Sequence, residues 1–258
     1  MKVYFIGAGP GDPDLITVKG LRLIQQAPVI IYAGSLVPEE ILREARSDAQ
    51  IVNSAELHLE QIIELIKIAR DEGKIVARVH SGDPSVYGAI GEQIRQLEKL
   101  GIDYEVVPGV TATSASAAAL GKELTLAGVS QTIIMTRYAG KTSMPDGEDL
   151  SSLAAHKATL VIHLGVTRIH KIVEELIPHY GTDCPIAVLY RTGWQDADRV
   201  TGTLTDIVDK VRAKGFSRTS LIIVGRVLDT EQFDDSFLYR ADKAHVYRPR
   251  VPKKESAD

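Results

Sequence analysis

The chain has 258 residues, of which 44% are hydrophobic and 25% charged, and its formal net charge is −4. This composition is typical of a folded protein with one or two domains, and it argues against long disordered regions. A dedicated nucleic-acid-binding protein is usually basic overall, so the negative charge argues against that class.

The sequence also argues against a membrane or secreted protein. No apolar run reaches the roughly 18 residues of a membrane span, and the apolar stretch at residues 3–6 is too short for a signal peptide. A single cysteine, Cys184, excludes an intramolecular disulfide and fits a reducing compartment. We therefore expect a cytoplasmic protein without a membrane partner.

Short, branched apolar runs alternate with amphipathic helical patterns in the first half of the chain. The runs predict buried strands at residues 3–6, 29–32, 75–79 and 104–107. Apolar residues at helical spacing predict helices over residues 59–67 and 90–100. This alternation predicts an α/β fold with a mostly parallel sheet that is covered on both faces.

The pattern changes after Pro108-Gly109. An Ala-rich helix is predicted at residues 111–120, with further helices at 168–179 and 204–214. Strands are predicted at residues 132–136, 159–164, 186–190, 200–203 and 221–224. We place a domain boundary near Gly121, which gives an N-terminal domain over residues 1–120 and a C-terminal domain over residues 121–233.

Residues 234–258 form a basic tail. Between Tyr239 and Lys254 it holds six basic residues and one acidic residue. Such a tail is either a solvated terminus or an arm that attracts an anionic substrate or partner.

Three loops follow predicted strands of the first domain. The first loop, Gly7-Ala8-Gly9-Pro10-Gly11-Asp12, lacks the Lys-Ser/Thr of a phosphate-binding loop and the third glycine of a dinucleotide fingerprint. The second is Ser81-Gly82-Asp83-Pro84, and the third is Pro108-Gly109-Val110-Thr111-Ala112. Each is equally well interpreted as a structural turn or helix cap. Together they predict a ligand cleft, because ligands bind at the carboxyl ends of parallel strands.

These three loops, in this order, resemble the tetrapyrrole (corrin/porphyrin) methyltransferase family, as does the run Leu221-Ile222-Ile223-Val224-Gly225-Arg226-Val227. The resemblance covers residues 1–230. Within the family, the segment from Tyr32 to Val37 and the ending from Phe233 to Pro249 resemble the branch that methylates precorrin-4 at C-11 in cobalamin biosynthesis.

The resemblance implies a homodimer of two α/β domains with S-adenosylmethionine (SAM) held in the active-site cleft between them. The cofactor contacts that it implies are Pro10, Ser81, Gly82, Asp83, Val86, Thr111, Ala112, Leu164 and Gly193. It further implies that the first loop faces the tetrapyrrole, which makes Gly9 and Gly11 candidate substrate contacts, with His58 at the mouth of the substrate site.

Basic residues are also expected near the substrate, because a tetrapyrrole carries many carboxylates and arginine binds carboxylates with two hydrogen bonds. Arg137 and Arg191 are candidates at predicted strand ends. For either one, an ordinary surface position is an alternative interpretation.

No catalytic base is predicted. Relatives that methylate uroporphyrinogen III carry an Asp just after the second strand, where this chain has Ala33. The seven histidines include no pair with metal-ligand spacing and a third ligand, so no metal is expected. The alternatives are methylation of a different precorrin, methylation of a protein or RNA, a dehydrogenase, and a non-catalytic sensor. The sequence does not indicate whether the substrate contains cobalt.

Overall fold

The computed structural model describes residues 1–140, 142–231, 233–236, 243–244 and 246–248. The chain divides into two compact units. The first contains Met1–Leu120 together with Leu189–Arg199 and Ser217–Leu221. The second contains Gly121–Val188, Val200–Phe216 and the described residues from Ile222 onward. Most of the basic tail lies outside the described residues.

The first unit is built on a five-stranded sheet with the order β3-β2-β4-β1-β5. Every neighbouring pair in this sheet is parallel, and Val3 pairs in register with Val76 on one side and with Tyr104 on the other. The strands are β1 Lys2–Gly7, β2 Val29–Tyr32, β3 Gln50–Asn53, β4 Val76–His80 and β5 Asp103–Val107.

Helices cover both faces of this sheet, as the sequence predicts. They are α1 Val18–Gln26, α2 Leu59–Asp71, α3 Gly91–Lys99 and α4 Ala112–Leu120, with short 3₁₀ helices at Pro13–Leu15 and Glu39–Leu42. On one face, Ile6 of β1 packs in a cluster with Ile24 of α1. On the other face, Phe5 packs in a cluster with Ile66 of α2 and Leu97 of α3. Since side chains alternate along a strand, adjacent residues of β1 enter different apolar clusters.

A second five-stranded sheet has the order β6-β7-β10-β8-β9. It is mixed, because β6 pairs in parallel with β7 whereas β10 runs antiparallel to β7. Its strands are β6 Ile133–Arg137, β7 Thr159–His163, β8 Pro185–Tyr190, β9 Asp198–Thr203 and β10 Ser220–Val224. The helices here are α5 Leu150–Ala154, α6 Ile169–Tyr180 and α7 Ile207–Lys214, with 3₁₀ turns at Val166–Arg168 and Arg226–Leu228.

The core of the second unit is apolar and fully buried at Leu160, Ile172 and Ile222. Cys184 lies in the same core as a free thiol, and burial raises its pKa to about 11. A thiol that stays protonated is a poor nucleophile, so Cys184 serves packing. No helix in the described residues is both long enough and apolar enough to cross a membrane.

Candidate functional site

Three loop starts of the first unit meet at the carboxyl edge of its sheet. Strands β1, β4 and β5 are adjacent and parallel, so the loops that follow them leave from the same edge. A Cβ atom on Gly7 would lie 2.6 Å from both the Cα of Gly109 and the carbonyl oxygen of Gly82. Real Cβ atoms do not approach the backbone so closely. The loops can touch because positions 7 and 109 are both glycine and carry no Cβ.

Backbone hydrogen bonds fix the first loop against the second. The N–H of Gly9 donates to the carbonyl of Gly82 at 3.2 Å, and the N–H of Gly82 donates to the carbonyl of Gly9 at 2.7 Å. One residue earlier, the N–H of Ala8 donates to the carbonyl of His80 at 2.8 Å. The predicted site residues Gly9 and Gly82 therefore form one rigid backbone junction.

Asp83 ties the second loop to the third. Its Oδ2 accepts a hydrogen bond from the N–H of Gly109 at 3.0 Å, and its Oδ1 accepts one from the N–H of Ser85 at 2.8 Å. Both carboxylate oxygens therefore bind backbone of the protein itself. The structure gives Asp83 the role of holding two loops in register, and its predicted contact with a cofactor remains a prediction.

The third loop leads into the N-terminus of α4. Thr111 accepts a hydrogen bond from the N–H of Ser114 at 3.1 Å through its Oγ1, as a helix cap does. A Cβ on Gly82 would lie 3.9 Å from the carbonyl oxygen of Val110 and 4.0 Å from the nitrogen of Ala112, which is ordinary van der Waals contact with this helix start. In the described part of the chain, the buried hydroxyl of Thr113 has no hydrogen-bond partner.

The other two predicted contacts of the second loop lie beside this junction. Ser81 and Val86 are both half-buried. The N–H of Val86 donates to the carbonyl of Asp83 at 3.1 Å. The residues predicted from the second and third loops are thus brought together within the first unit.

A segment from much later in the chain packs on the first loop. The indole Nε1 of Trp194 donates to the carbonyl of Pro10 at 3.1 Å. Gly193 has a φ of +93°, and a Cβ there would lie 2.9 Å from the nitrogen of Asp12. A Cβ on Gly11 would collide with the ring of Trp194. The predicted residues Pro10, Gly11 and Gly193 therefore belong to one packed cluster.

A cavity of about 470 Å³ opens beside this cluster. Its lining consists of Gly11, Pro13, Pro38, Glu40, Arg43, Arg191, Gly193, Trp194, Gln195 and Asp196. The lining carries charges of both signs, since Arg43 lies 3.6 Å from Glu40 and Arg191 lies 3.1 Å from Asp196. A neighbouring cavity of about 340 Å³ shares Pro13, Glu40 and Arg43 with it.

Three other predicted residues are not among the residues that line this cavity. His58 precedes α2, and its exposed ring lies 2.9 Å from Glu60 through Nδ1. Arg137 uses its guanidinium to bind the carbonyls of Thr142 and Ser143. Leu164 follows β7 with a φ of +56° and is 72% exposed. Arg137 and Leu164 belong to the second unit, and the binding roles of all three remain predictions.

A buried pair of basic side chains lies on β4, directly before the second loop. Burial lowers the pKa of Arg78 to about 10, and its Nε donates to Gln93 at 3.1 Å. Burial, helped by the charge of Arg78, lowers the pKa of His80 to about 3. His80 is therefore neutral at physiological pH, and its ring packs 5.9 Å from that of Phe5.

Trp194 and Arg43 are not among the site residues predicted from the sequence. Trp194 is the single tryptophan of the chain and follows directly on the predicted Gly193, which is a usable sequence signal. Arg43 has no such signal, because it lies at the end of a short 3₁₀ helix in a charged stretch. In the described residues, no group of three or more His, Cys, Asp or Glu side chains could hold a metal ion.

Comparison with known proteins identifies the family and the fold. Residues 2–208 match the family described as Tetrapyrrole (Corrin/Porphyrin) Methylases. The chain therefore belongs to the tetrapyrrole methylase family, as its motifs suggest. A relative from Pseudomonas aeruginosa named precorrin-4 C(11)-methyltransferase is 66% identical over 96% of this chain and 99% of the relative.

Two solved structures share the architecture. A cobalt precorrin-4 methyltransferase, described as a cobalamin biosynthetic enzyme, superposes with a TM-score of 0.87 and 44% identity over 89% of this chain and 96% of that one. A uroporphyrin-III C-methyltransferase from Thermus thermophilus, complexed with S-adenosylhomocysteine, superposes with a TM-score of 0.73. It is 32% identical over 88% of this chain and 99% of that one.

Proposed function

We propose that this protein is a SAM-dependent methyltransferase that methylates precorrin-4, or its cobalt complex, at C-11 in cobalamin biosynthesis. The observation that carries the proposal is the junction of Gly7, Gly82 and Gly109 at the carboxyl edge of a parallel sheet, in a chain 66% identical to a relative of that name.

The residues at the junction suit a cofactor with a nucleoside and an amino-acid part. Backbone groups of Val110 and Ala112, at the start of α4, lie close to Gly82. In the described residues, the hydroxyl of Thr113 is buried without a partner, so a polar group is available there for a ligand. We propose that Pro10, Ser81, Gly82, Asp83, Val86, Thr111, Ala112, Leu164 and Gly193 surround the cofactor.

SAM supplies, when bound, an electrophilic methyl group on a positively charged sulfur. The protein then needs to align an electron-rich carbon of the substrate with that methyl group and to exclude water. Holding two reactants in a near-attack arrangement contributes on the order of 7–11 kcal/mol to lowering the barrier. The close packing of Gly7 on Gly109 and the hydrogen bonds of Asp83 serve this purpose, because they fix the loops before the substrate arrives.

The cavity beside Trp194 is the proposed position of the tetrapyrrole. Gly11 and Arg191 line it, as a substrate-binding role for these two residues requires. Gly9 lies in the same loop, and its hydrogen bonds to Gly82 fix that loop at the cavity edge. A basic side chain in this lining provides a partner for substrate carboxylates.

We further propose that the protein is a cytoplasmic homodimer, whose partner is a small tetrapyrrole and which binds neither nucleic acid nor membrane. The net charge of −4 argues against a nucleic-acid partner, and the free thiol of Cys184 fits a reducing compartment. Sedimentation velocity tests whether the protein is a dimer, and the expected species has twice the 28.1 kDa mass of the chain. A monomer at micromolar concentration would contradict it.

The cofactor half of the proposal is tested by calorimetric titration of S-adenosylhomocysteine into the purified protein. Binding at micromolar concentration is expected, and no heat would contradict it. The substrate half is tested by offering precorrin-4, a different precorrin, ribosomes and total protein with labelled SAM. Label in the precorrin-4 product supports the proposal, whereas label only in RNA, protein or another precorrin replaces it by the corresponding alternative.

A further inference from the structure

The guanidinium of Arg191 is held in a defined place. Its Cζ lies 3.9 Å from the centroid of the Trp194 ring and 5.9 Å from that of Tyr190. The backbone of Arg191 has a φ of +47°, its N–H donates to the carbonyl of Thr219 at 2.9 Å, and its carbonyl accepts from the N–H of Trp194 at 2.9 Å. A guanidinium that lies over an aromatic ring is restrained in orientation and keeps its donors at its edge.

This placement is coupled to the first loop. Trp194 donates to the carbonyl of Pro10, and its ring leaves no room for a side chain at Gly11. The position of Arg191 relative to the loop is thus set by the indole that separates them.

The partner of Arg191 is weakly held. The carboxylate of Asp196 lies 3.1 Å from the Nε of Arg191, and among the described residues this nitrogen makes no hydrogen bond, so the pair is held by charge alone. The side chain of Asp196 is 55% exposed, whereas that of Arg191 is 28% exposed. An exposed carboxylate contributes little to stability through such a pair and is readily exchanged for another carboxylate. Both residues line the cavity of about 470 Å³.

Arg43, the other arginine of the cavity lining, differs from Arg191. Its side chain is 73% exposed, and its Nη2 lies 3.6 Å from Glu40 within the same turn. A long, exposed side chain loses more conformational freedom on binding than a stacked one. The guanidinium of Arg191 is therefore held in place before a ligand binds, whereas that of Arg43 is not.

We propose that Arg191 binds a carboxylate of the tetrapyrrole substrate and that Asp196 competes with this carboxylate for the same guanidinium. The inference rests on the proposed function, and it adds a substrate-specificity residue and an internal competitor. Substrate binding then exchanges one carboxylate for another at Arg191 and creates no new buried charge. Removal of the charge on Asp196 strengthens substrate binding, whereas loss of the planar guanidinium weakens it.

The test measures binding of two stable probes, uroporphyrin III with eight carboxylates and coproporphyrin III with four, by fluorescence quenching at fixed ionic strength. Asp196→Asn is expected to bind uroporphyrin III more tightly, by about threefold to tenfold. Arg191→Lys keeps the charge but loses the planar fork, and is expected to bind it about tenfold more weakly. Asp209→Asn is the matched control. Asp209 forms an exposed ion pair with Arg212 at 3.2 Å on α7, and its replacement changes the net charge by the same amount as Asp196→Asn.

Unchanged or weaker binding by Asp196→Asn, or tightening by Asp209→Asn of the same size, would overturn the inference. Unchanged binding by Arg191→Lys would also overturn it. Affinity for S-adenosylhomocysteine is measured on each variant and is expected to stay within about twofold of the wild-type value. Because this second titration also reports folding of the site, failure of the Arg191 proposal is distinguishable from failure of the methyltransferase function.

Discussion

The indole nitrogen of Trp194 donates a hydrogen bond of 3.1 Å to the carbonyl oxygen of Pro10, across 184 positions of the sequence. This bond attaches the segment at residues 191–196 to the glycine loop that follows β1. It explains why both chain segments carry glycine where they meet, at Gly11 and Gly193. One contact thus joins the candidate substrate cavity to the carboxyl edge of the first sheet.

Replacement of Gly11 tests this contact. In Gly11→Ala the new methyl group meets the indole, so we expect the ring of Trp194 to move and the affinity for uroporphyrin III to fall by about tenfold. Since the chain has one tryptophan, the emission maximum reports this ring alone, and a red shift is expected.

Gly225→Ala is the matched control for backbone strain. Gly225 has a φ of +148° against +147° at Gly11, but the nearest atom to its added Cβ is the Cα of Thr159 at an ordinary 3.4 Å. The control is expected to leave the emission maximum unchanged. An identical emission spectrum for Gly11→Ala and the wild type would show that the indole does not pack as described.

Removal of the Asp83 carboxylate tests the link between the second and third loops. Asp83→Ala loses the hydrogen bonds to the N–H groups of Gly109 and Ser85. Hydrogen bonds to a charged group contribute about 1.5–3 kcal/mol each, so we expect a clear fall in the unfolding free energy, measured in urea. We also expect weaker binding of S-adenosylhomocysteine by calorimetry, because the loops lose their register.

Asp83→Asn provides a graded comparison. Its side-chain oxygen still accepts one of the two hydrogen bonds, so both its stability and its affinity should lie between those of the wild type and Asp83→Ala. If Asp83→Ala binds the ligand as the wild type does, Asp83 has no role at the cofactor site.

The buried imidazole of His80 predicts a pH dependence of stability. Its pKa is about 3 in the folded protein, against 6.5 in the unfolded chain. Between these values the unfolded state binds more protons, so the unfolding free energy falls as the pH is lowered from 6.5. For a single titrating group, the unfolding free energy changes by at most about 1.4 kcal/mol per pH unit.

His80→Gln is expected to reduce this slope, measured by urea unfolding between pH 7 and 4, by close to one proton. His170→Gln, at an exposed position of α6, should keep the wild-type slope. Equal slopes in both variants and the wild type would mean that His80 is not buried in the neutral form.

Much of the fold is predictable because it follows from short patterns of apolar residues along the chain. The parallel strands β1, β2, β4 and β5 are short apolar runs, and α2 carries apolar residues at helical spacing. Helix α1 is not among the predicted elements, because Gly20 interrupts its pattern. The structure gives the reason for that glycine, since a Cβ there would lie 2.9 Å from Ile6.

Strand β3 is also absent from the predicted elements, for a different reason. It is an edge strand whose Gln50 and Ile51 are exposed, so it lacks the apolar run of a buried strand. A strand is predicted from a run of buried apolar residues, and an edge strand buries few side chains.

The candidate site likewise has some residues that the sequence predicts and some contacts that it does not. The glycine loops and Arg191 are recognisable from short motifs and from the chemistry of carboxylate binding. The pairing of Trp194 with Pro10 and that of Asp83 with Gly109 depend on tertiary packing between distant segments. No local pattern contains this information, so both contacts require a structure.

The central claim is the transfer of a methyl group to C-11 of the substrate. The direct test is incubation of the protein with precorrin-4, or with cobalt-precorrin-4, and SAM labelled with ¹³C in its methyl group, followed by NMR of the product. The account predicts one new labelled methyl group, attached to C-11, with at least one of the two substrates. A labelled methyl group at another carbon, or no transfer to either substrate by protein that binds S-adenosylhomocysteine, would contradict it.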